Sequence, residues 1–183
     1  MVIKYKIEML SDWHVGSGLD AGADADALVL KDENNLPYIP GKTIKGLLKD
    51  SLNEIKEAGK ISDSEIEEIF GKKAEDYNTE RKKAYFTNAK LSDIENQEIT
   101  SNELASQLYK NIASTKIGKN GVAVKNSLRT IEVCIPLSLE GSIDTDVENV
   151  DEVLEKAMKW TRYLGVNRNR GLGRCKFSIT EKS

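Results

Sequence analysis

The fold is decided by a short stretch in which an extended segment runs into an amphipathic helix: Leu36-Pro37-Tyr38-Ile39-Pro40-Gly41-Lys42-Thr43-Ile44-Lys45-Gly46. The Pro40-Gly41 pair delivers the chain into that helix. From there, apolar residues recur at spacings of three and four: Ile44, Leu47, Leu48, Leu52 and Ile55. This spacing predicts one helix with a single buried face.

Upstream of this stretch the sequence predicts strands. Apolar and charged residues alternate from Ile3 to Met9, which indicates a strand with one buried face. Residues 27–31 and 36–41 flank a turn that contains Asn34 and Asn35, and this pattern predicts a hairpin.

Downstream, a second helix is predicted between the capping box of Ser62 and Glu65 and a stop at Gly71. Pro136 places the next long strand at a sheet edge or a bulge. The predicted elements are a strand over 84–91, a short helix over 100–112, a basic hairpin or protruding loop over 113–128, a strand over 131–139, a helix over 150–164 and a strand over 175–180.

Without the early hairpin and the protruding loop, the order is β-α-β-β-α-β, which is typical of the ferredoxin-like split unit. We therefore predict one α+β domain over residues 1–183, with insertions over about 58–83 and 100–128.

The charge of the chain is segregated. Lys and Arg number 27 against 30 Asp and Glu, for a net charge of −3. Residues 105–131 nevertheless hold five basic groups and no acid, and residues 156–176 hold seven and no acid. The neutral-looking total therefore does not exclude nucleic acid, because a local basic surface is sufficient to bind phosphates.

Other classes of protein are disfavoured. No apolar stretch approaches the length of a membrane span, and the alternating N-terminus lacks the hydrophobic block of a signal peptide. Cys134 and Cys175 lie far apart in strand-like segments, which indicates buried thiols in a reducing compartment. With one His and two separated Cys, we expect no zinc site. Because the sequence shows no membrane span and no signal-peptide block, and its thiols indicate a reducing compartment, we expect no membrane partner and a cytoplasmic location.

Two phosphate-binding motifs are incomplete. Gly41-Lys42-Thr43 resembles the end of a P-loop, but Leu36 stands where the first glycine is needed. Gly16-x-Gly18-x-x-Ala21 formally fits a dinucleotide fingerprint, but a strand rather than a helix is predicted to follow it.

The Gly-rich loop, defined here as residues 165–174, combines three Gly with three Arg and two Asn. Glycines allow a close backbone approach and arginines give bidentate phosphate contacts, so the loop is predicted to contact a polyanion or a protein.

His14 is the only histidine, and either structural hydrogen bonding or acid–base catalysis is open to it. Asp20, Asp24 and Asp26 lie in a loop of small residues that is either an acidic surface or a site acting on a phosphodiester.

A set of blocks occurs in order along nearly the whole chain. They are Asp12-Trp13-His14-Val15-Gly16-Ser17-Gly18, Asp26-Ala27-Leu28-Val29-Leu30-Lys31-Asp32, the stretch 36–46, Ile69-Phe70-Gly71, Phe86-Thr87-Asn88-Ala89, Asn126-Ser127-Leu128-Arg129-Thr130-Ile131-Glu132 and the Gly-rich loop. Together they resemble the RAMP superfamily of CRISPR systems, and most of all the backbone subunits of type III effector complexes. At Asn88 the family usually has Asp.

The resemblance implies an RRM-like core that assembles along a guide RNA, with a thumb over 113–128 that wedges the guide–target duplex. It also implies an Asp needed for target cleavage, which aligns with Asp26 and has Asp24 as second choice, and Mg²⁺ or another divalent ion held transiently at Asp26. The predicted RNA-binding residues are His14, Ser17, Lys42, Thr43, Lys45, Lys49, Lys116, Lys119, Lys125, Arg129, Arg168, Arg170 and Arg174.

The leading hypothesis is a type III backbone subunit that binds guide RNA and cleaves the paired target RNA. Its expected partners are both RNAs, other RAMP subunits and a large subunit of the complex. The alternatives are a structural RAMP subunit without nuclease activity, a guide-processing ribonuclease that uses His14, and a ferredoxin-like binder of small molecules.

Overall fold

The computed structural model describes residues 1–18, 25–71, 84–147 and 150–183. The strands are β1 Val2–Met9, β2 Tyr85–Phe86, β3 Tyr109–Ser114, β4 Arg129–Cys134, β5 Ser138–Asp144 and β6 Cys175–Lys182. The α-helices are α1 Gly41–Glu57, α2 Asp63–Phe70, α3 Asp93–Ser101 and α4 Val150–Trp160. Short 3₁₀ turns span Ala105–Leu108 and Arg168–Arg170.

The main sheet has four antiparallel strands in the order β2-β5-β1-β6. The first strand of the chain therefore lies between the last strand and β5, which is the arrangement of the ferredoxin-like split unit. This confirms the predicted α+β fold with a ferredoxin-like core.

One face of the sheet is covered by helices. Ile3, Tyr5, Ile7 and Met9 of β1 are buried while Lys4 and Glu8 are exposed, so the two faces differ as the alternation predicts. Helices α1 and α4 pack side by side, and the Ser51 hydroxyl lies 2.7 Å from the Thr161 hydroxyl between them. The buried face of α1 confirms the predicted spacing, since its core residues include Ile44, Leu48, Leu52 and Ile55.

A second, two-stranded sheet forms an arm, defined here as residues 109–134. Strands β3 and β4 pair from Tyr109 opposite Cys134 to Ser114 opposite Arg129. The tip of the arm, residues 115–128, turns back through a bridge between Ile117 and Ala123. This confirms the predicted hairpin, although its strands extend further than the predicted 113–128.

The predicted strand over 131–139 is wrong as a single element. It is divided between two sheets at Pro136, where the proline contributes no N–H. The Ile135 N–H donates to Leu108 O on the arm side (2.9 Å), whereas Leu137 O accepts from the Met9 N–H in the main sheet (2.9 Å). The chain therefore changes sheets at the proline.

The predicted helix over 100–112 is also misplaced. Helix α3 begins earlier, at a capping box in which Ser92 and Glu95 exchange hydrogen bonds, and it ends at Ser101. Residues 109–114 are drawn into β3 because β4 supplies their backbone partners. The predicted strand over 84–91 is reduced to β2 with two further bridges at Ala89 and Lys90.

The remaining predictions agree more closely. Helix α2 has the predicted capping box at Ser62 and ends at Gly71, and α4 ends at Trp160 rather than Leu164. The early hairpin forms its turn, but Lys31 and Pro37 pair through one bridge only. In the part of the chain that the structure describes, no helix is both long and apolar enough to span a bilayer.

Candidate nucleic-acid interface

The Gly-rich loop is held tightly against the segment that follows β1. The Val166 N–H donates to His14 O (3.1 Å), and the Gly173 N–H donates to Asp12 O (2.8 Å). A Cβ at Gly165 would overlap the His14 carbonyl, and one at Gly173 would overlap the Leu164 carbonyl. Both glycines also have a positive φ, so their conformation and the close approach explain why glycine stands at each position.

The loop forms one wall of an open cleft of about 1160 Å³. The cleft is also lined by α1, through Leu47, Asp50, Ser51 and Glu54, and by the C-terminal end of α4. The basic residues that line the cleft are Arg129, Lys159, Arg162, Arg168 and Arg170.

The four arginines of the cleft are exposed, and none of them forms an ion pair with another described residue. Lys159 differs, because its ammonium group lies 2.7 Å from the Glu155 carboxylate. Guanidinium groups that face solvent from a concave surface are suited to bidentate contacts with phosphate.

Asp26 lies beside this cleft. Its N–H donates to Thr130 O (2.7 Å), and its carboxylate Oδ2 accepts from the Thr130 N–H (2.7 Å). Since Thr130 follows Arg129, these two bonds hold an exposed carboxylate close along the backbone to a cleft arginine. Asp24, the second choice for the catalytic acid, lies outside the described residues.

The described residues do not form a protein-held metal site. No group of three His, Cys, Asp or Glu side chains within them is arranged to ligate an ion. Asp26 alone supplies one carboxylate, which is fewer ligands than a resident divalent ion takes from protein.

The predicted contacts at His14 and Ser17 do not line the cleft. The His14 ring is 3% exposed, and its Nδ1 lies 2.6 Å from Glu132 O. The Ser17 hydroxyl donates to Leu28 O (3.2 Å). The burial of the histidine agrees with the structural role and offers no support for its use in guide processing.

Glu132 of β4 bonds residues 27–31, the segment that precedes the turn at Asn34 and Asn35. Its carboxylate accepts from the Val29 N–H (3.0 Å) and from Lys31 Nζ (2.8 Å), and the Lys31 ammonium lies 4.0 Å from the centroid of the Tyr109 ring. These bonds attach residues 27–31 to β4, while the bonds from Asp26 to Thr130 place Asp26 near the end of the arm strands where Ser114 pairs with Arg129.

The lysines of α1 are separate from the cleft. Lys42 and Thr43 are exposed in the first turn, and Lys49 is half-buried further along. The Lys45 ammonium donates to Ala84 O (3.0 Å) and lies 5.9 Å from the centroids of Phe70 and Phe86. None of these four residues lines the cleft.

The N-terminus of α1 has a partner within the protein. The Gly41 N–H donates to the Asn88 side-chain oxygen (3.0 Å), and a Cβ at Gly41 would overlap the Phe86 carbonyl. The close contact explains why glycine begins this helix, and the Asn88 amide satisfies one of its free N–H groups.

The remaining predicted contacts are dispersed. Lys116, Lys119 and Lys125 are exposed at the tip of the arm, and Arg174 is exposed at the end of the Gly-rich loop. Of the predicted RNA-binding residues, the cleft therefore brings together Arg129, Arg168 and Arg170.

Sequence reasoning missed several cleft residues. They are Trp160, Arg162 and Tyr163. Arg162 belongs to the acid-free segment 156–176, so its charge was visible in the sequence, but its place opposite α1 depends on helix packing.

Comparison with known proteins agrees with this fold. A model of the RAMP superfamily matches residues 6–176. A chain in the cryo-EM structure of the Type III-B Cmr-beta bound to cognate target RNA superimposes with a TM-score of 0.73 at 12% identity, covering 98% of this chain and 97% of that one. A chain of the Type III-B Cmr-beta apo state gives 0.71 at 12% identity, covering 100% and 98%. No curated protein matches in sequence.

Proposed function

Because the chain belongs to the RAMP superfamily, we propose that it is a backbone subunit of a cytoplasmic type III effector complex that holds guide RNA through its phosphates. The observation that carries the proposal is the cleft, where Arg129, Arg162, Arg168 and Arg170 are exposed without ion pairs among the described residues. Arginine contacts to phosphate do not depend on base identity, as binding along a guide of any sequence requires.

The structural relatives support the proposed partners. One of them is part of a complex described as bound to cognate target RNA. We therefore expect this chain to assemble with other RAMP subunits and a large subunit, and to meet target RNA paired with the guide.

Removing two cleft arginines tests the phosphate contacts. In the double variant Arg168→Ala/Arg170→Ala, affinity for single-stranded RNA should fall at every sequence tested, because two phosphate contacts are lost. The slope of the logarithm of the association constant against the logarithm of the salt concentration should become shallower by about 0.7 for each lost contact. Fluorescence anisotropy over a salt series measures both quantities.

The matched control is Lys60→Ala/Lys90→Ala, which removes two exposed charges that do not line the cleft. The proposal is contradicted if both double variants have the same affinity and the same salt slope.

A second candidate function, cleavage of the target RNA, is favoured by the position of Asp26. Its carboxylate is exposed, is oriented by Thr130 and lies close to Arg129, where the strands of the arm meet its tip. In the proposed step this carboxylate accepts the proton of a ribose 2′-hydroxyl. The 2′-oxygen attacks the adjacent phosphorus, the bond from phosphorus to the 5′-oxygen breaks, and solvent protonates that oxygen.

The effect of Asp26→Ala on the assembled complex tests this step. We expect the cleavage rate of paired target RNA to fall about a hundredfold or more, because the proton acceptor is removed. RNA affinity should change little. Asp146→Asn, an exposed carboxylate that does not line the cleft, is the control. Equal cleavage rates for wild type and Asp26→Ala would assign the chain to the structural, non-catalytic class of subunit.

A further inference from the structure

The cleft contains an apolar surface that phosphate binding leaves unused. Trp160 is 44% exposed, Tyr163 is 42% exposed and Val166 is 45% exposed, and all three line the cleft. Large aromatic side chains left open in a concave, basic surface indicate a partner with both apolar faces and negative charge.

Trp160 is held in place on α4 by the neighbouring helix. Its indole N–H donates to the Glu54 carboxylate of α1 at 2.7 Å. The ring is therefore oriented before any ligand binds, and less conformational entropy is lost when a flat group packs against it.

The backbone of Tyr163 is fixed by a bridge with Arg174. The two aromatic residues are three positions apart at the end of α4, and both line the cleft that Arg168 and Arg170 of the Gly-rich loop also line.

The charges of the cleft favour a nucleic acid over a protein segment. Five basic residues line it against two carboxylates, Asp50 and Glu54. The Glu54 carboxylate already accepts the Trp160 N–H, so its charge is partly offset. A polyanion with flat, uncharged faces satisfies both the exposed arginines and the exposed rings.

We propose that Trp160 and Tyr163 form a stacking surface for an unpaired RNA base, while the surrounding arginines bind the phosphates of the same strand. This inference rests on the proposed function and adds a base-contacting subsite to it. Stacking on an aromatic ring accepts any base, because every base has a π-face, so the subsite is compatible with guides of any sequence.

The test compares two probes of equal charge on the full chain: a 12-nucleotide oligouridylate and a 12-unit abasic ribose-phosphate oligomer. Wild type should bind oligouridylate about tenfold more tightly than the abasic oligomer. Trp160→Ala should bind oligouridylate about tenfold more weakly than wild type while its affinity for the abasic oligomer is unchanged. Trp160→Phe should retain most of the preference, because a phenyl ring still stacks.

Intrinsic fluorescence gives a second readout on the unmodified protein. The other tryptophan, Trp13, is buried, so quenching on titration with oligouridylate reports Trp160. We expect quenching by oligouridylate and none by the abasic oligomer. Tyr85→Ala removes an exposed aromatic outside the cleft and should behave as wild type in both assays.

Three results are informative against the proposal. If wild type binds neither probe, both the stacking proposal and the proposed RNA-binding function fail. If wild type binds both probes equally and Trp160→Ala matches Tyr85→Ala, stacking is overturned while phosphate binding stands. If Trp160→Ala leaves RNA affinity unchanged but releases another subunit from the complex, the aromatic surface is a protein contact and the inference is overturned.

Discussion

Two different constraints favour glycine in the Gly-rich loop, a positive φ and a lack of space for a Cβ, and Gly165 and Gly171 differ in the second. Both have a positive φ, which a residue with a Cβ adopts only at a cost of about 1–2 kcal/mol. At Gly165 the added Cβ would also overlap the His14 carbonyl, whereas at Gly171 no atom lies within 4 Å of that position.

Gly165→Ala should therefore lower the free energy of unfolding by at least about 1 kcal/mol more than Gly171→Ala does. Urea denaturation measures this difference. Gly165→Ala should also weaken RNA binding, since displacing the loop from His14 moves Arg168 and Arg170. Equal stability of the two variants would show that the loop is not held by this contact.

Residue identity alone did not separate exposed cations from cations that have a partner within the fold. Lys45 and Arg168 are both basic residues in blocks that resemble the RAMP superfamily, and both were predicted to bind RNA. The Lys45 ammonium donates to Ala84 O, whereas Arg168 is exposed in the cleft without an ion pair among the described residues. Whether each of these two cations is bonded or exposed depends on residues that are distant from it in the sequence.

At the scale of elements, local signals located the helices well. Helix α1 follows from the 3–4 spacing after Gly41, and α2 follows from the capping box at Ser62. The same capping pattern at Ser92 and Glu95 marks the start of α3, so the sequence did contain the signal that would have placed this helix correctly.

Strands were less predictable, because the partner strand decides where a strand begins and ends. The alternation over 131–139 continues across Pro136 without a break in pattern, although the two halves belong to different sheets. The division is visible in two hydrogen bonds: the Ile135 N–H donates to Leu108 O just before β3, whereas Leu137 O accepts from the Met9 N–H of β1.

At the scale of the whole molecule, the core isolates two thiols from solvent. Burial raises the pKa of Cys134 to about 12, with the Asp12 and Glu132 carboxylates adding to the shift, and burial raises the pKa of Cys175 to about 12. In the unfolded chain both thiols ionise near pH 9. Between these values the unfolded state loses protons that the folded state keeps, which favours unfolding.

The free energy of unfolding should thus be insensitive to thiol ionisation below about pH 9 and should decrease as the pH rises from about 9 to about 12. Cys175→Ala should flatten that decrease, as urea denaturation over a pH series will measure. Val153→Ala is the control, since it removes core volume at every pH without removing a titratable group. If the free energy of unfolding has the same pH dependence in Cys175→Ala and in wild type, the raised pKa of Cys175 is contradicted.

The sequence by itself determined the ferredoxin-like order of elements, helices α1, α2 and α4 in outline and the two acid-free basic segments, because periodicity, caps and charge are local properties. Only the tertiary structure decided that Arg129, Arg162, Arg168 and Arg170 share one cleft with Trp160, and that His14 does not line it. These neighbours come from four separate segments. The packing of α1 against α4 and of the Gly-rich loop against the end of β1 brings them together, and such contacts depend on side chains more than a hundred residues apart.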